Sequence, residues 1–143
     1  MQGTQKKDIS RRGRVSLPLP PKRRAGRRNR AVIRQTVLQV FRTFLPGKVL
    51  DAPAGNLWLS KTLADWGFTV YAVDIITPPA AFSSALSFLQ VNLNCGLPFA
   101  DSAFDYVASV EGIEHLENPA AFLRECSRVL RPQGKLLLTT PNI

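Results

Sequence analysis

The segment Val49-Leu50-Asp51-Ala52-Pro53-Ala54-Gly55-Asn56-Leu57 constrains this chain more than any other. It reads as a buried strand that runs into a tight turn at Gly55 and then into a helix. Further along, a second apolar run, Thr69-Val70-Tyr71-Ala72-Val73-Asp74, ends in an acid. A strand, a glycine turn, a helix and a second strand closing on a carboxylate form half of a nucleotide-binding crevice. The turn lets the backbone approach a ligand. The acid can accept both hydroxyls of a ribose.

The flanking pattern predicts an α/β protein. Val32, Ile33, Thr36, Val37, Val40, Phe41 and Phe44 follow one-face helical spacing, so Arg30 to Phe44 reads as an amphipathic helix stopped by Pro46-Gly47. Strand one is Lys48 to Ala52. Asn56 can cap the next helix, whose Leu59, Leu63 and Trp66 share a face, with Gly67 as its stop. Strand two is Thr69 to Ile75, and Thr77 to Phe82 opens at most a short helix. Phe88 to Leu93 and Phe104 to Val110 are strands three and four. Asn118-Pro119 starts a helix with Phe122, Leu123, Cys126, Val129 and Leu130 along one face, ended by Pro132 and Gly134. Lys135 to Thr140 is strand five. Strands alternating with helices imply a parallel sheet with right-handed crossovers.

The charge is unevenly placed. Residues 1–30 hold eleven Lys or Arg and one acid, while residues 31–143 hold eight basic and nine acidic residues. The expected organisation is a disordered basic tail over 1–29 and one domain over 30–143. The domain is close to neutral, so a basic nucleic-acid surface on it is not indicated. The tail has three readings: a solvated tail or a leader created by a start site placed too far upstream, an electrostatic arm for RNA or an anionic surface, and an Arg-rich targeting leader whose prolines spoil an amphipathic helix. Cys95 and Cys126 are too few for a disulfide framework, and no apolar run is long enough for a membrane span. The expectation is a soluble protein in a reducing compartment, the cytoplasm.

Several motifs together resemble class I S-adenosylmethionine-dependent methyltransferases. Asp51, Pro53 and Gly55 match the family turn D-x-P-A-G-x-G, with Leu57 where the last glycine is expected. Asn92-Leu93-Asn94-Cys95-Gly96-Leu97-Pro98-Phe99 followed by Asp101-Ser102-Ala103-Phe104-Asp105 is similar to D-L-N-x-x-L-P-F and D-x-x-F-D. Val110-Glu111-Gly112-Ile113-Glu114-His115-Leu116 is similar to V-x-x-x-E-H-L. The stretch from Arg124 to Asn142 is similar to R-E-x-x-R-V-L-K-P-G-G-x-L-x-x-x-T-P-N, with Gln133 for a glycine. The resemblance spans residues 48–143.

It implies a Rossmann-like open parallel sheet with helices on both faces, S-adenosyl-L-methionine as cofactor, and methyl transfer to a small-molecule or lipid-linked acceptor. Asp51, Ala52, Pro53 and Gly55 would approach the methionine moiety, where the Leu57 side chain could press on it. Asp74, followed by Ile75, would hold the ribose. Asn92, replacing the usual acid, and Leu93 would face adenine. Leu97-Pro98-Phe99 and Asp105 are read as structural.

Glu111 and His115 lie at the end of a central strand, where open α/β sheets put their ligands. His115, the chain's one histidine, suits a general base near neutrality. Two other readings stay open for it: a metal ligand in the Glu111, Glu114, His115 cluster, and a residue that shapes the loop beside the cofactor. The resembled fold orders its strands 3-2-1-4-5-7-6, and this chain stops after strand five. The expectation is a truncated member with an open apolar edge, which suits an oligomer. The alternatives are a non-catalytic binding module and an RNA-directed enzyme that uses the tail.

Overall fold

The computed structural model describes residues 23–76 and 86–141. Five parallel strands, β1 (Lys48–Asp51), β2 (Thr69–Asp74), β3 (Leu86–Gln90), β4 (Phe104–Val110) and β5 (Leu130–Thr139), form one sheet in the order β3-β2-β1-β4-β5. Three helices cover it: α1 (Arg23–Phe41), α2 (Trp58–Asp65) and α3 (Pro119–Val129). The chain winds outward from β1 to β3, then returns to β4 on the other side of β1. The crevice between the β1 and β4 ends is therefore the switch point where such sheets bind ligands.

Side chains alternate across the sheet, so each strand feeds two cores. On one face Val49, Val70, Ala72 and Ala108 pack with Val37 and Phe41 of α1 and Leu59 and Leu63 of α2. On the other, Leu50, Ala52, Val73 and Val107 pack with Phe122, Cys126 and Val129 of α3. Each fully buried Val, Leu or Phe among them is worth about 1.5–3 kcal/mol.

The first helix differs from its expected span. It starts at Arg23, so the boundary expected at residue 30 falls inside it, and it ends at Phe41. Its packed side is Ile33, Val37 and Phe41, whereas Val32 and Val40, expected in the core, are exposed. Gly26 lies within it, with nothing within 4 Å of where a Cβ would sit. The helix expected to open at Thr77 and the first part of the basic tail lie outside the described residues.

Strand β4 has the bounds its apolar run implied, and β1 and β2 each end one residue sooner. Strand β3 lies earlier than Phe88 to Leu93, because Leu93–Cys95 forms a 3-10 turn capped by Asn92. Strand β5 begins at Leu130, pairs with Phe104, and then skips to Lys135 opposite Tyr106. Residues 131–134 take up the slack, with Gln133 at φ +67°. Asn118 caps α3, its Oδ1 accepting from the Ala121 N–H at 3.0 Å.

One guanidinium ties the β3–β4 connection to α3. Arg128 donates to the carbonyls of Leu97 and Phe99 and to the carboxylates of Asp101 and Glu125, all within 2.7–2.9 Å. Glu125 in turn accepts from the Leu97 N–H at 2.8 Å, and Arg128 holds its carboxyl down at about 2. Asp105 is structural as expected, since it pairs with Arg131 and accepts from the Lys48 N–H at 2.8 Å.

Candidate cofactor site

Two cavities open at the carboxyl ends of β1, β2 and β4, and Pro53 lines both. The larger, about 390 Å³, is lined by Asp74, Ile75, Ile76, Val91–Asn94, Gly112, His115 and Leu116. The smaller, about 150 Å³, is lined by Asp51, Ala54, Gly55, Asn56, Val110 and Glu111, with Arg30, Ile33 and Arg34 of α1 over it. Gly112 is required where they meet: a Cβ there would lie 2.3 Å from the Pro53 ring.

The turn between β1 and α2 is fixed from below by Asp74. Its Oδ2 accepts from the Gly55 N–H at 2.8 Å, and its Oδ1 from the Ile76 N–H at 3.2 Å. Each carboxylate oxygen has a second lone pair, so the acid is aimed and still able to accept a diol. Gly55 adopts φ +53°, which suits a residue without a Cβ.

Asp51 sits beneath the smaller cavity, only 2% exposed, with its Oδ2 accepting from the Ser60 hydroxyl at 2.6 Å. Burial pushes its carboxyl up to about 7, against the opposing pull of the Ser60 hydrogen bonds.

Leu57 does not reach the ligand side. It takes the glycine's conformation, φ +65°, and turns its side chain into the core beside Val37, Phe41 and Leu59, 1% exposed. The expected pressure on a methionine moiety is therefore absent. Leu57, rather than Asn56, occupies the cap position of α2, although Asn56 Oδ1 accepts from Trp58 N–H at 3.3 Å. Gln133, the other residue standing for a glycine, also sits at positive φ, so both departures keep the backbone and change only the side chain.

Of the expected site residues, Asp74, Ile75, Asn92 and Leu93 line the larger cavity, Asp51, Gly55 and Glu111 the smaller, and Pro53 both. Ala52 lines neither, because its side chain is in the α3-side core. Asn92 Oδ1 already accepts from the Asn94 N–H at 3.0 Å, so that oxygen has one lone pair left for a ligand. Glu111 and His115, expected together beside an acceptor, line different cavities. His115 is 79% exposed and 3.8 Å from Glu114. Among the described residues no group of three or more His, Cys, Asp or Glu side chains is gathered to hold a metal. Nor is any helix among them long and apolar enough to cross a membrane.

Sequence reasoning missed Arg30 and Arg34, which overhang the smaller cavity. The Arg34 guanidinium lies 4.8 Å over the Trp58 ring, a cation–π contact that fixes its direction. The available signal was their spacing: Arg34 lies one turn and Arg30 two turns ahead of Val37, on the same helix side.

A parallel sheet wound 3-2-1-4-5 with a glycine turn facing a strand-end acid defines a Rossmann-like nucleotide-binding domain. The family model described as a methyltransferase domain matches residues 50–138, and the chain belongs to this class I S-adenosylmethionine-dependent methyltransferase family. A Mycobacterium tuberculosis protein named as a probable S-adenosylmethionine-dependent methyltransferase is 37% identical over 98 residues, covering 66% of this chain and 35% of that one. The ubiquinone biosynthesis O-methyltransferase of Pseudomonas aeruginosa is 30% identical over 103 residues, covering 66% and 44%. Among solved structures, the PH0226 protein of Pyrococcus horikoshii is similar with a TM-score of 0.59 at 30% identity, covering 76% and 52%. The chain thus spans less than half the length of these two curated relatives.

Proposed function

We propose that the chain binds S-adenosyl-L-methionine across Pro53, nucleoside in the larger cavity and methionine in the smaller, and transfers its methyl group to a small-molecule or lipid-linked acceptor. The observation that carries this is the pair of cavities meeting at the Asp74-pinned turn. Their sizes together fall in the range of about 300–1,000 Å³ usual for small-ligand sites. The residues present suit the cofactor: an aimed carboxylate for the ribose, an amide and apolar walls for adenine, and a bare backbone turn for the methionine end.

When bound, the cofactor supplies an electrophilic methyl on a sulfonium, and transfer leaves the C–S electron pair on sulfur. The chain's own work is positioning. Asp74 orients the ribose, Asn92 and Leu93 bracket the base, and Asp51 and Gly55 face the methionine ammonium and carboxylate region. Glu111 shares the smaller cavity with this turn, which supports it over His115 as the group that takes the acceptor's proton. Holding both reactants in line contributes the larger part of such a rate enhancement.

The test is calorimetric titration of the 143-residue chain with S-adenosylhomocysteine. Micromolar binding that weakens about a hundredfold in Asp74→Ala is expected, since that change removes the ribose acceptor and unpins the turn. A folded wild-type chain that does not bind would sink the reading.

A further inference from the structure

We infer that the methyl acceptor is an anion, a small molecule bearing a phosphate or carboxylate that Arg30 holds at the mouth of the smaller cavity. The inference rests on the cofactor reading above and narrows its substrate class.

Helix α1 carries six arginines and no acid. Helical spacing puts Arg27, Arg30 and Arg34 on one side, which continues into buried Val37 and Phe41. Ile33 is the last residue toward the N-terminus that packs on the core from that side. Past it the helix overhangs the cleft, where Arg30 and Arg34 line the same cavity as Asp51 and Glu111. Neither guanidinium has an ion-pair partner within 4 Å among the described residues.

A count of charges then points to the ligand. The cofactor's methionine end brings one carboxylate, one ammonium and one sulfonium. A single arginine answers the carboxylate, and Arg34, fixed over Trp58, is the oriented one. The second guanidinium would stand, exposed, beside a ligand that is already net cationic, and like charges at that range repel even when solvent screens them. Buried Asp51, holding its proton until about pH 7, offsets this only in part, and Glu111 supplies one charge from the opposite wall. An anionic acceptor removes the excess, and a planar guanidinium holds phosphate or carboxylate in a bidentate pair.

A nucleic-acid partner fits less well. The outward side of α1 shows Val32, Gln35, Thr36 and Gln39, all exposed, and the cations in line with them, Arg24 and Arg28, are confined to the first two turns. Phosphate tracking needs cations spread along an outer face.

The experiment uses the full chain saturated with S-adenosylhomocysteine and titrated with phenyl phosphate and benzoate, each against its neutral counterpart, phenol and benzamide. We expect at least one anion to bind about tenfold more tightly than its neutral partner, a difference of about 1.4 kcal/mol. Arg30→Gln should erase that preference while weakening S-adenosylhomocysteine less than Arg34→Gln does. Equal binding of anionic and neutral probes would overturn the inference. So would Arg30→Gln weakening the cofactor product more than the anion, which would make Arg30 its carboxylate partner. A twelve-nucleotide RNA that binds with steep salt dependence where neither small anion does would replace it with the nucleic-acid reading. Failure of the wild-type chain to bind S-adenosylhomocysteine would break the cofactor reading itself, and the inference with it.

Discussion

The two sides of the cleft are held in place by different physics. The wall of the larger cavity is stapled by directional bonds. Asn92 binds its own turn, Asn94 Oδ1 accepts from the Glu117 N–H at 2.9 Å, and the Arg128 and Glu125 pair locks the connection behind it to α3. The wall of the smaller cavity is α1, held by the packing of Ile33, Val37 and Phe41 and by stacked arginines, including Arg42 5.2 Å over Trp66. Hydrogen bonds fix position sharply, while apolar packing tolerates sliding. The side expected to take the invariant nucleoside is thus the rigid one, and the side facing the acceptor is adjustable.

The largest way to break this contrast is Gly112→Ala, which puts a methyl into the Pro53 ring shared by both cavities. We expect loss of S-adenosylhomocysteine binding beyond calorimetric detection, with a folded far-UV spectrum. Retained binding would mean that the two cavities do not act as one site.

Next comes Leu57→Gly. It relieves a left-handed backbone worth about 1–2 kcal/mol but empties a core position worth about 2–5 kcal/mol. Urea unfolding should show a net loss of about 2–3 kcal/mol, with cofactor-product affinity changed little, because the side chain faces away from the cleft. A gain in affinity would mean that Leu57 does press on the ligand.

Asp51 sharpens the comparison through pH. Its carboxyl titrates near 7 when folded against 3.8 as a free group, so the folded chain holds the proton more tightly. Its contribution to stability is full below about 4 and is lost as pH rises toward 7. Asp51→Asn should flatten that slope in chemical denaturation. In the wild type, S-adenosylhomocysteine affinity should climb between pH 6 and 8, since an ammonium favours the ionised acid. A flat profile would separate Asp51 from the ligand.

The smallest effect is expected at Gln133→Gly. This residue is exposed at φ +67°, so no burial is lost and about 1 kcal/mol of strain is relieved. A rise in thermal midpoint is the expected reading, opposite in sign to Leu57→Gly.

That opposition marks how far the sequence could be read. Both positions were legible as places where a glycine is usual, and both hold a glycine's dihedral. Which one throws its side chain into the core depends on what packs below the turn, and pattern does not carry that. Strand β4 was legible to the residue because it is apolar apart from Asp105 and Ser109, and Asn118 because a cap acts locally. Asp74 was legible as a strand-end acid, but its hold on Gly55 joins two segments far apart in sequence. The face of α1 was only half right: spacing grouped Val32 and Val40 with Val37, whereas a single packed neighbour on one side buries a narrower stripe. Glu111 and His115 are close in sequence and part company because the backbone turns at Glu111, φ +50°, and again through the 3-10 turn at Ile113–His115.

Gly26 gives the adjustable wall a thermodynamic character. A glycine inside a helix costs about 0.5–1 kcal/mol relative to alanine, and nothing fills the space a methyl would take. The first turns of α1, which lead to Arg30, therefore spend conformational entropy to be helical at all. Any ligand that engages those arginines must include that ordering in its own affinity. Selectivity at this mouth is then set partly by how stiff the helix is, and not only by what its side chains touch.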